Sequence, residues 1–434
     1  MNTAPKSLRL QIGLFGRTNA GKSSLLNYIA GQDVAVTSPV PGTTTDVVEK
    51  SMEILPVGPV VFLDTGGLDD DGVLADRRLA RTAAVFDRAD VVVLVAEAGA
   101  WTEHEDRILG EAERRRSPAL VVFNKADRGA PDPARTAALE ARGLRWMACC
   151  AIEPAGRENA VRAFVEALLA ALPPGALREP ALVGDLLPPG GLVVLVVPID
   201  LQAPKGRLIL PQVQTIRDAL DSDARALVVK ERELAHALAE LRRPPDLVVC
   251  DSQVVLKMTA DVPRGVRCTT FSILFARYKG DLVACARGAA ALGRLRSGDR
   301  VLVAEACSHH ALEDDIGRVK IPRWLRQYAG AGVEVDVCAG RDYPADLAAY
   351  RAVIHCGACL LTPREVRHRF ARAEEAGVPA TNYGVAIAFL QGVLERVLEP
   401  FPEAAEAYRA AAGAVARSRR ATPAAGCGKE TIVR

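Results

Sequence analysis

Gly16-Arg17-Thr18-Asn19-Ala20-Gly21-Lys22-Ser23 follows the apolar run Leu10 to Phe15 and opens a helix-like stretch, Ser24 to Ala30. The pattern is GxxxxGK[ST], and a strand before it with a helix after it is the setting in which it forms a phosphate-binding loop. Its glycines let backbone N–H groups close around phosphate oxygens. Lys22 is then expected against the β and γ phosphates and Ser23 on Mg²⁺, while the helix N-terminus adds partial positive charge. Working outward, Val60 to Leu63, Val91 to Ala96 and Leu120 to Phe123 alternate with helix-like stretches up to about Ala171. That alternation predicts an open, parallel, doubly wound α/β sheet over 1–172.

Two further motifs sit at predicted strand ends. Asp64-Thr65-Gly66-Gly67 places a carboxylate where it can hold the metal through water, and the Gly67 N–H beside the γ phosphate. Asn124-Lys125-Ala126-Asp127 ends another strand, and an aspartate there can accept two hydrogen bonds from N1 and N2 of guanine. Adenine cannot donate them, so the carboxylate would be left unpaired against it. The expected nucleotide contacts are Gly16, Asn19, Ala20, Gly21, Lys22, Ser23, Ser24, Asp64, Gly67, Asn124, Lys125 and Asp127.

The chain has 434 residues, enough for about three domains of ordinary size. Hydrophobic residues at 49% and charged residues at 25% exclude a disordered, collagenous or coiled-coil chain. A formal charge of +2 argues against a long nucleic-acid track or an anionic membrane surface. The longest clean apolar stretch, Gly191 to Ile199, is about half of what a spanning helix needs, and no secretory leader is recognisable, so a soluble cytoplasmic protein is expected. All ten cysteines lie at Cys149 or later, in a chain too large to need disulfide staples. Reduced, functional thiols are expected.

Prolines and glycines crowd 173–191, which reads as a linker. Over 192–265, strand-like runs such as Leu192 to Ile199 and Leu247 to Cys250 alternate with helix-like ones, giving a small α/β domain for scaffolding or self-association. A third α/β unit is expected over 266–415, and a mobile tail over 416–434. In the third unit Cys307-Ser308-His309 follows the strand Val301 to Ala304. His355-Cys356-Gly357-Ala358-Cys359 follows Ala352 to Ile354, with 45 residues between the two histidines. Both groups fall at strand C-terminal ends, where open α/β sheets bind ligands, so they are expected to converge. Three thiols and two imidazoles suit a tetrahedral Zn²⁺ or a [4Fe–4S] cluster, and spacing does not separate the two.

From roughly Leu8 to Ala171 the chain resembles translation-factor-class GTPases of the Era/TrmE type. The resemblance implies that Pro41-Gly42-Thr43-Thr44-Thr45-Asp46 is the first switch, with Thr44, or else Thr43 or Thr45, the second protein ligand of Mg²⁺, and that Cys150 and Ala151 support the base. Cys149-Cys150-Ala151 departs from the usual Ser-Ala there. Leu68 stands where Ras-like relatives keep a water-orienting glutamine, so slow hydrolysis is expected. Asn19 is the residue that, in relatives of this type, helps hold a K⁺ ion in place of an arginine finger.

Over nearly its whole length, the chain resembles the HydF family, the GTPase that matures [FeFe]-hydrogenase. The resemblance implies a [4Fe–4S] cluster on Cys307, Cys356 and Cys359, with His309 or His355 at an exchangeable fourth position. It also implies a homodimer or higher oligomer that assembles through the middle domain. Such a protein carries a diiron precursor from two radical-SAM maturases to apo-hydrogenase, with GTP and GDP switching partner association. Two other readings share parts of this pattern. One is a ribosome-assembly or tRNA-modifying GTPase, favoured by the first domain and by Cys427-Gly428-Lys429, but the chain lacks a recognisable basic-flanked KH-type GxxG segment, so nucleic acid is not expected. The other is a zinc metallochaperone GTPase with the same donors.

Overall fold

The structure, a computed structural model, describes residues 6–31, 48–65, 75–177, 180–198, 208–306, 315–340, 343–344 and 346–421. It divides into two units, Met1–Glu179 and Pro180–Arg434.

Among the described residues the first unit holds six strands: β1 (Leu10–Phe15), β2 (Val48–Ile54), β3 (Gly58–Asp64), β4 (Val91–Glu97), β5 (Ala119–Asn124) and β6 (Arg145–Ala148). Their order is β2-β3-β1-β4-β5-β6. Alternate residues of β4 serve opposite faces: Val91, Val93 and Val95 join one apolar cluster, and Val92, Leu94 and Ala96 the other. Burial on both faces is why these strands read as unbroken apolar runs. Each fully buried Val or Leu contributes about 1.5–3 kcal/mol relative to exposure. The doubly wound arrangement is as expected, with one correction to the all-parallel sheet: β2 pairs antiparallel with β3. Three residues, 55–57, join them, and so short a link can only reverse the chain.

The second unit holds two parallel sheets. The first has β7 (Leu192–Val196), β8 (Arg225–Val229), β9 (Leu247–Cys250) and β10 (Cys268–Thr270) in the order β10-β9-β7-β8. The second has β11 (Arg300–Ala304), β12 (Glu334–Cys338), β13 (Ala352–His355) and β14 (Ala380–Asn382) in the order β12-β11-β13-β14. One continuous core runs through both, including Val193, Leu195, Val249, Val301, Val303 and Ile354. The division at 265/266 therefore falls just before a strand that belongs to the middle sheet.

The stretch read as a linker splits likewise. Leu182, Val183 and Leu187 are buried in the second unit's core. The Asp218 carboxylate accepts backbone N–H bonds from Leu182, Val183 and Gly184 at 3.1, 2.7 and 2.7 Å, fixing a segment whose prolines and glycines suggest freedom. At the far end, the helix Pro402–Ala421 continues past residue 415, where the tail was expected to begin; 422–434 lie outside the described residues. Among the described residues no helix is long and apolar enough to cross a membrane.

Candidate functional site

The first site gathers at the C-terminal ends of β1, β3, β5 and β6, the edge at which open α/β sheets bind ligands. Gly16 sits at φ +144°, and a Cβ there would lie 2.2 Å from the Val95 carbonyl oxygen. Gly21 sits at φ +91°, with its missing Cβ 2.1 Å from Asn124 Nδ2. Only glycine fits either place. Gly21 caps the helix Lys22–Ala30 without a side-chain bond, which leaves the first-turn N–H groups for an anion. Lys22 is buried, and its ammonium donates to the carbonyls of Gly16 and Arg17, both at 2.8 Å. The Ser23 hydroxyl stands 3.4 Å from Asp64 Oδ2, so two oxygen donors suited to Mg²⁺ meet at one point.

A cleft of about 370 Å³ runs from Asn19 past Lys22 and Ser24 to Asp127 and Ile152. Asn124, in the cleft lining, works as a stitch: Nδ2 donates to the Ala20 carbonyl at 3.0 Å and Oδ1 accepts from the Ala151 N–H at 3.1 Å. The loop after β1 is thereby tied to the loop after β6. Lys125 adopts φ +58° and pairs with Glu97 at 3.3 Å. Asp127 is exposed to the cleft, and the Cys150 thiol donates to its Oδ1 at 3.1 Å, so cysteine here supplies the donor that a serine hydroxyl would. Cys149 is different. Burial, with Cys150 adding, pushes its thiol up to about 11, and it serves as a core residue.

Sequence reasoning missed how the phosphate loop is anchored. Arg17 donates to the fully buried Glu105 at 2.8 Å and to the Ala100 carbonyl at 2.9 Å. Glu105 also closes a capping box with Thr102 on the helix Glu103–Arg114. Burial alone would raise its carboxyl, but the bonds from Thr102 and Arg17 outweigh that and hold it below the ordinary value. The only sequence signal was the spacing Thr102-x-x-Glu105. Asn19 adopts φ +64°, a left-handed turn that asparagine tolerates, so loop geometry by itself accounts for the residue type. Thr44, Gly67 and Leu68 lie outside the described residues.

The second site lies at the C-terminal edge of the last sheet. β11 and β13 are neighbours in register, Ala304 beside His355, so the two soft-ligand segments leave the sheet side by side. Cys307 and His309 lie outside the described residues, but Ala306 is within them, and its N–H donates to Cys356 Sγ at 3.1 Å. The Ala358 N–H donates to the same sulfur at 3.4 Å. Cys356 and Cys359 are part-exposed, whereas Cys250, Cys268 and Cys285 are buried and their thiols pushed up by desolvation, for Cys268 to about 11. The apolar or mixed surroundings in sequence suggest a core thiol at each of these and at Cys338; the three are buried, whereas Cys338 is only part-buried. A sulfur that accepts N–H bonds at an open sheet edge suits a thiolate ligand of Zn²⁺ or an iron–sulfur cluster. Among the described residues no three His, Cys, Asp or Glu side chains form a metal-holding group.

His355 is nearly buried between Tyr343 and Phe370, with ring centroids at 5.3 and 5.0 Å. Its Nε2 pairs with the Tyr343 hydroxyl at 3.1 Å. Burial, with Arg369 adding, lowers the imidazole to about 3, so the ring is neutral, and ligation from here must use Nδ1 or give up the tyrosine. Lys279, unnoticed in the sequence, ends the helix Phe271–Lys279 and is 1% exposed. Its ammonium donates to the carbonyls of Ala358, Cys359 and Leu361 at 3.1, 2.9 and 2.8 Å.

Three family descriptions match the chain in sequence. Residues 11–125 match a 50S ribosome-binding GTPase. Residues 182–280 match the hydrogen maturase F dimerization domain, and residues 283–400 the hydrogen maturase F tetramerization domain. The chain belongs to the hydrogen maturase F (HydF) family. In this HydF chain the first unit is a GTPase domain for GTP, GDP and Mg²⁺, and the second carries the family's oligomerization domains. The GTPase domain is 38% identical over 125 residues to the tRNA modification GTPase MnmE of Nitrosomonas europaea, which covers 29% of this chain and 28% of that protein. It is 36% identical over 124 residues to GTPase Der of Kosmotoga olearia, covering 27% and 28%. The chain thus spans little more than a quarter of these curated relatives. Among solved structures, an Aquifex aeolicus Era variant bound to GDP.AlF4⁻ is similar at 19% identity and TM-score 0.32, over 51% of this chain and 93% of that one.

Proposed function

We propose that this protein hydrolyses GTP and serves as a scaffold that receives a diiron precursor from two radical-SAM maturases and delivers it to apo [FeFe]-hydrogenase in the cytoplasm. Cys307, Cys356 and Cys359 would hold a [4Fe–4S] cluster, with His309 or His355 at the fourth position. A cluster held by three thiolates supplies one iron with a replaceable ligand, open to an incoming group. The observation that carries the reading is the pairing of β11 with β13, with the Ala306 N–H on Cys356 Sγ. It brings the chain next to Cys307 against the Cys356–Cys359 loop.

The test is anaerobic reconstitution of the full chain with iron and sulfide, wild type beside Cys356→Ser. Wild type is expected to turn brown with broad visible absorbance, and the variant to lose most of both colour and iron. A colourless wild-type protein that retains zinc would overturn the cluster and favour zinc on the same donors.

In the GTPase domain we assign Lys22 to the β and γ phosphates, Ser23, Thr44 and Asp64 to Mg²⁺, Gly67 to the γ phosphate and Asp127 to the guanine base. With Leu68 in place of a glutamine, the attacking water lacks a side-chain anchor, and hydrolysis is slow unless charge comes from elsewhere. Asn19, exposed at the cleft, is assigned to a K⁺ ion that supplies it. Hydrolysis is expected to run faster in KCl than in NaCl of equal ionic strength. Equal rates in the two salts would remove this role and leave Asn19 as a turn residue.

A further inference from the structure

We propose that Lys279 is a positioning residue for the cluster: its ammonium folds the Cys356–Cys359 loop into ligating shape before iron arrives and sets the cluster's reduction potential. The inference rests on the cluster reading above and adds to it a residue 77 positions before Cys356.

An ammonium has three N–H donors and no acceptor. Lys279 meets three carbonyls, those of Ala358, Cys359 and Leu361, at 2.8–3.1 Å, so every donor is matched and the geometry is that of the charged form. The side chain is 1% exposed, with the Phe275 ring 5.5 Å from Nζ to centroid and the Glu365 carboxylate near enough to act on its charge. A buried charge is retained only where partners compensate it, and here those partners are backbone groups of the ligand loop. Ala358 also adopts φ +51°, a left-handed conformation uncommon outside glycine, which persists only when its surroundings enforce it. The lysine bond to the Ala358 carbonyl is such a constraint. With carbonyls drawn toward Lys279, the Ala358 N–H is turned to Cys356 Sγ at 3.4 Å. One side chain thus shapes the loop, orients a donor to a ligand sulfur and holds a positive charge against the loop that would carry the cluster.

Two variants of the full chain test this, Lys279→Met, which keeps the stem and removes the donors, and Lys279→Arg, which keeps the charge but presents a planar fork to three converging carbonyls. After reconstitution, both are expected to lose iron to a chelator about tenfold faster than wild type, the range for an outer-shell partner. The Met variant alone is expected to be reduced at a clearly more negative potential, because losing a nearby positive charge disfavours the added electron. A folded Met variant with wild-type iron release and potential would overturn the proposal. If neither variant folds, wild type decides: Lys279 should resist acetylation by an N-hydroxysuccinimide ester far better than the exposed Lys230, and labelling at the Lys230 rate overturns the clamp. A wild-type chain that takes up no cluster at all defeats the scaffold reading instead.

Discussion

Lys22→Ala is expected to lower GTP turnover by about 10²-fold or more while leaving iron uptake unchanged. The Lys22 ammonium is buried and held by the carbonyls of Gly16 and Arg17, so it is already aimed along the loop interior. Negative charge that spreads onto the γ-phosphoryl oxygens in the transition state gains from a fixed cation there, and removing one preorganised donor costs about 10²–10³ in rate. Alanine also leaves two carbonyls without their donor, so weaker nucleotide binding is expected too. Single-turnover rates at saturating GTP separate the two effects. Iron content serves as the internal control, because the GTPase domain and the second unit have separate apolar cores. Turnover within threefold of wild type would remove Lys22 from the phosphate site, and loss of iron would show that the two sites do not fold independently.

The nucleotide site was legible in the sequence because its chemistry is local. Gly16, Gly21 and Lys22 belong to one contiguous motif, although the atoms that would crowd a Cβ at the two glycines, the Val95 carbonyl and Asn124 Nδ2, come from β4 and β5. The adjacency of the two Cys/His segments was legible at one remove, since strand ends can be read and β11 and β13 are neighbours, while Cys307 and His309 lie outside the described residues. What could not be read acts at a distance. Lys279 meets carbonyls 79 to 82 positions later, and nothing near it in sequence distinguishes it from the surface lysine that would normally close a helix. Asp218 looks like an exposed helical acid, yet it orders residues 182–184 and turns half of an apparent linker into core. The short strands β10 and β14 have three residues each, too few for a period to show, and they exist because their sheets recruit them. β2, with the polar sequence Val48-Glu49-Lys50-Ser51-Met52-Glu53-Ile54, is an edge strand held by its hairpin with β3 and carries no apolar run to announce it.

Asp127→Asn is expected to exchange guanine for xanthine. Asp127 lies at the cleft end away from Lys22, and the Cys150 thiol occupies its Oδ1 from the side at 3.1 Å, which fixes the plane of the carboxylate. A carboxylate in that position accepts from both N1–H and the exocyclic amine of guanine, and hydrogen bonds to a charged group are worth about 1.5–3 kcal/mol each. Asparagine keeps one acceptor and turns the other into an N–H donor, which meets the guanine amine donor to donor. Exchanging one of these bonds for a donor–donor contact costs about 1.5–3 kcal/mol or more, at least about 10–10²-fold in GTP affinity. Xanthine offers N1–H and a carbonyl at C2, so the same amide that rejects guanine pairs with both groups. Competition of GTP and xanthosine triphosphate against a fluorescent GDP analogue should show the preference inverted, with the Mg²⁺ and phosphate contacts untouched. If the variant instead weakened for both nucleotides equally, Asp127 would be supporting the loop and not reading the base, and guanine specificity would have to come from the backbone at Ala151.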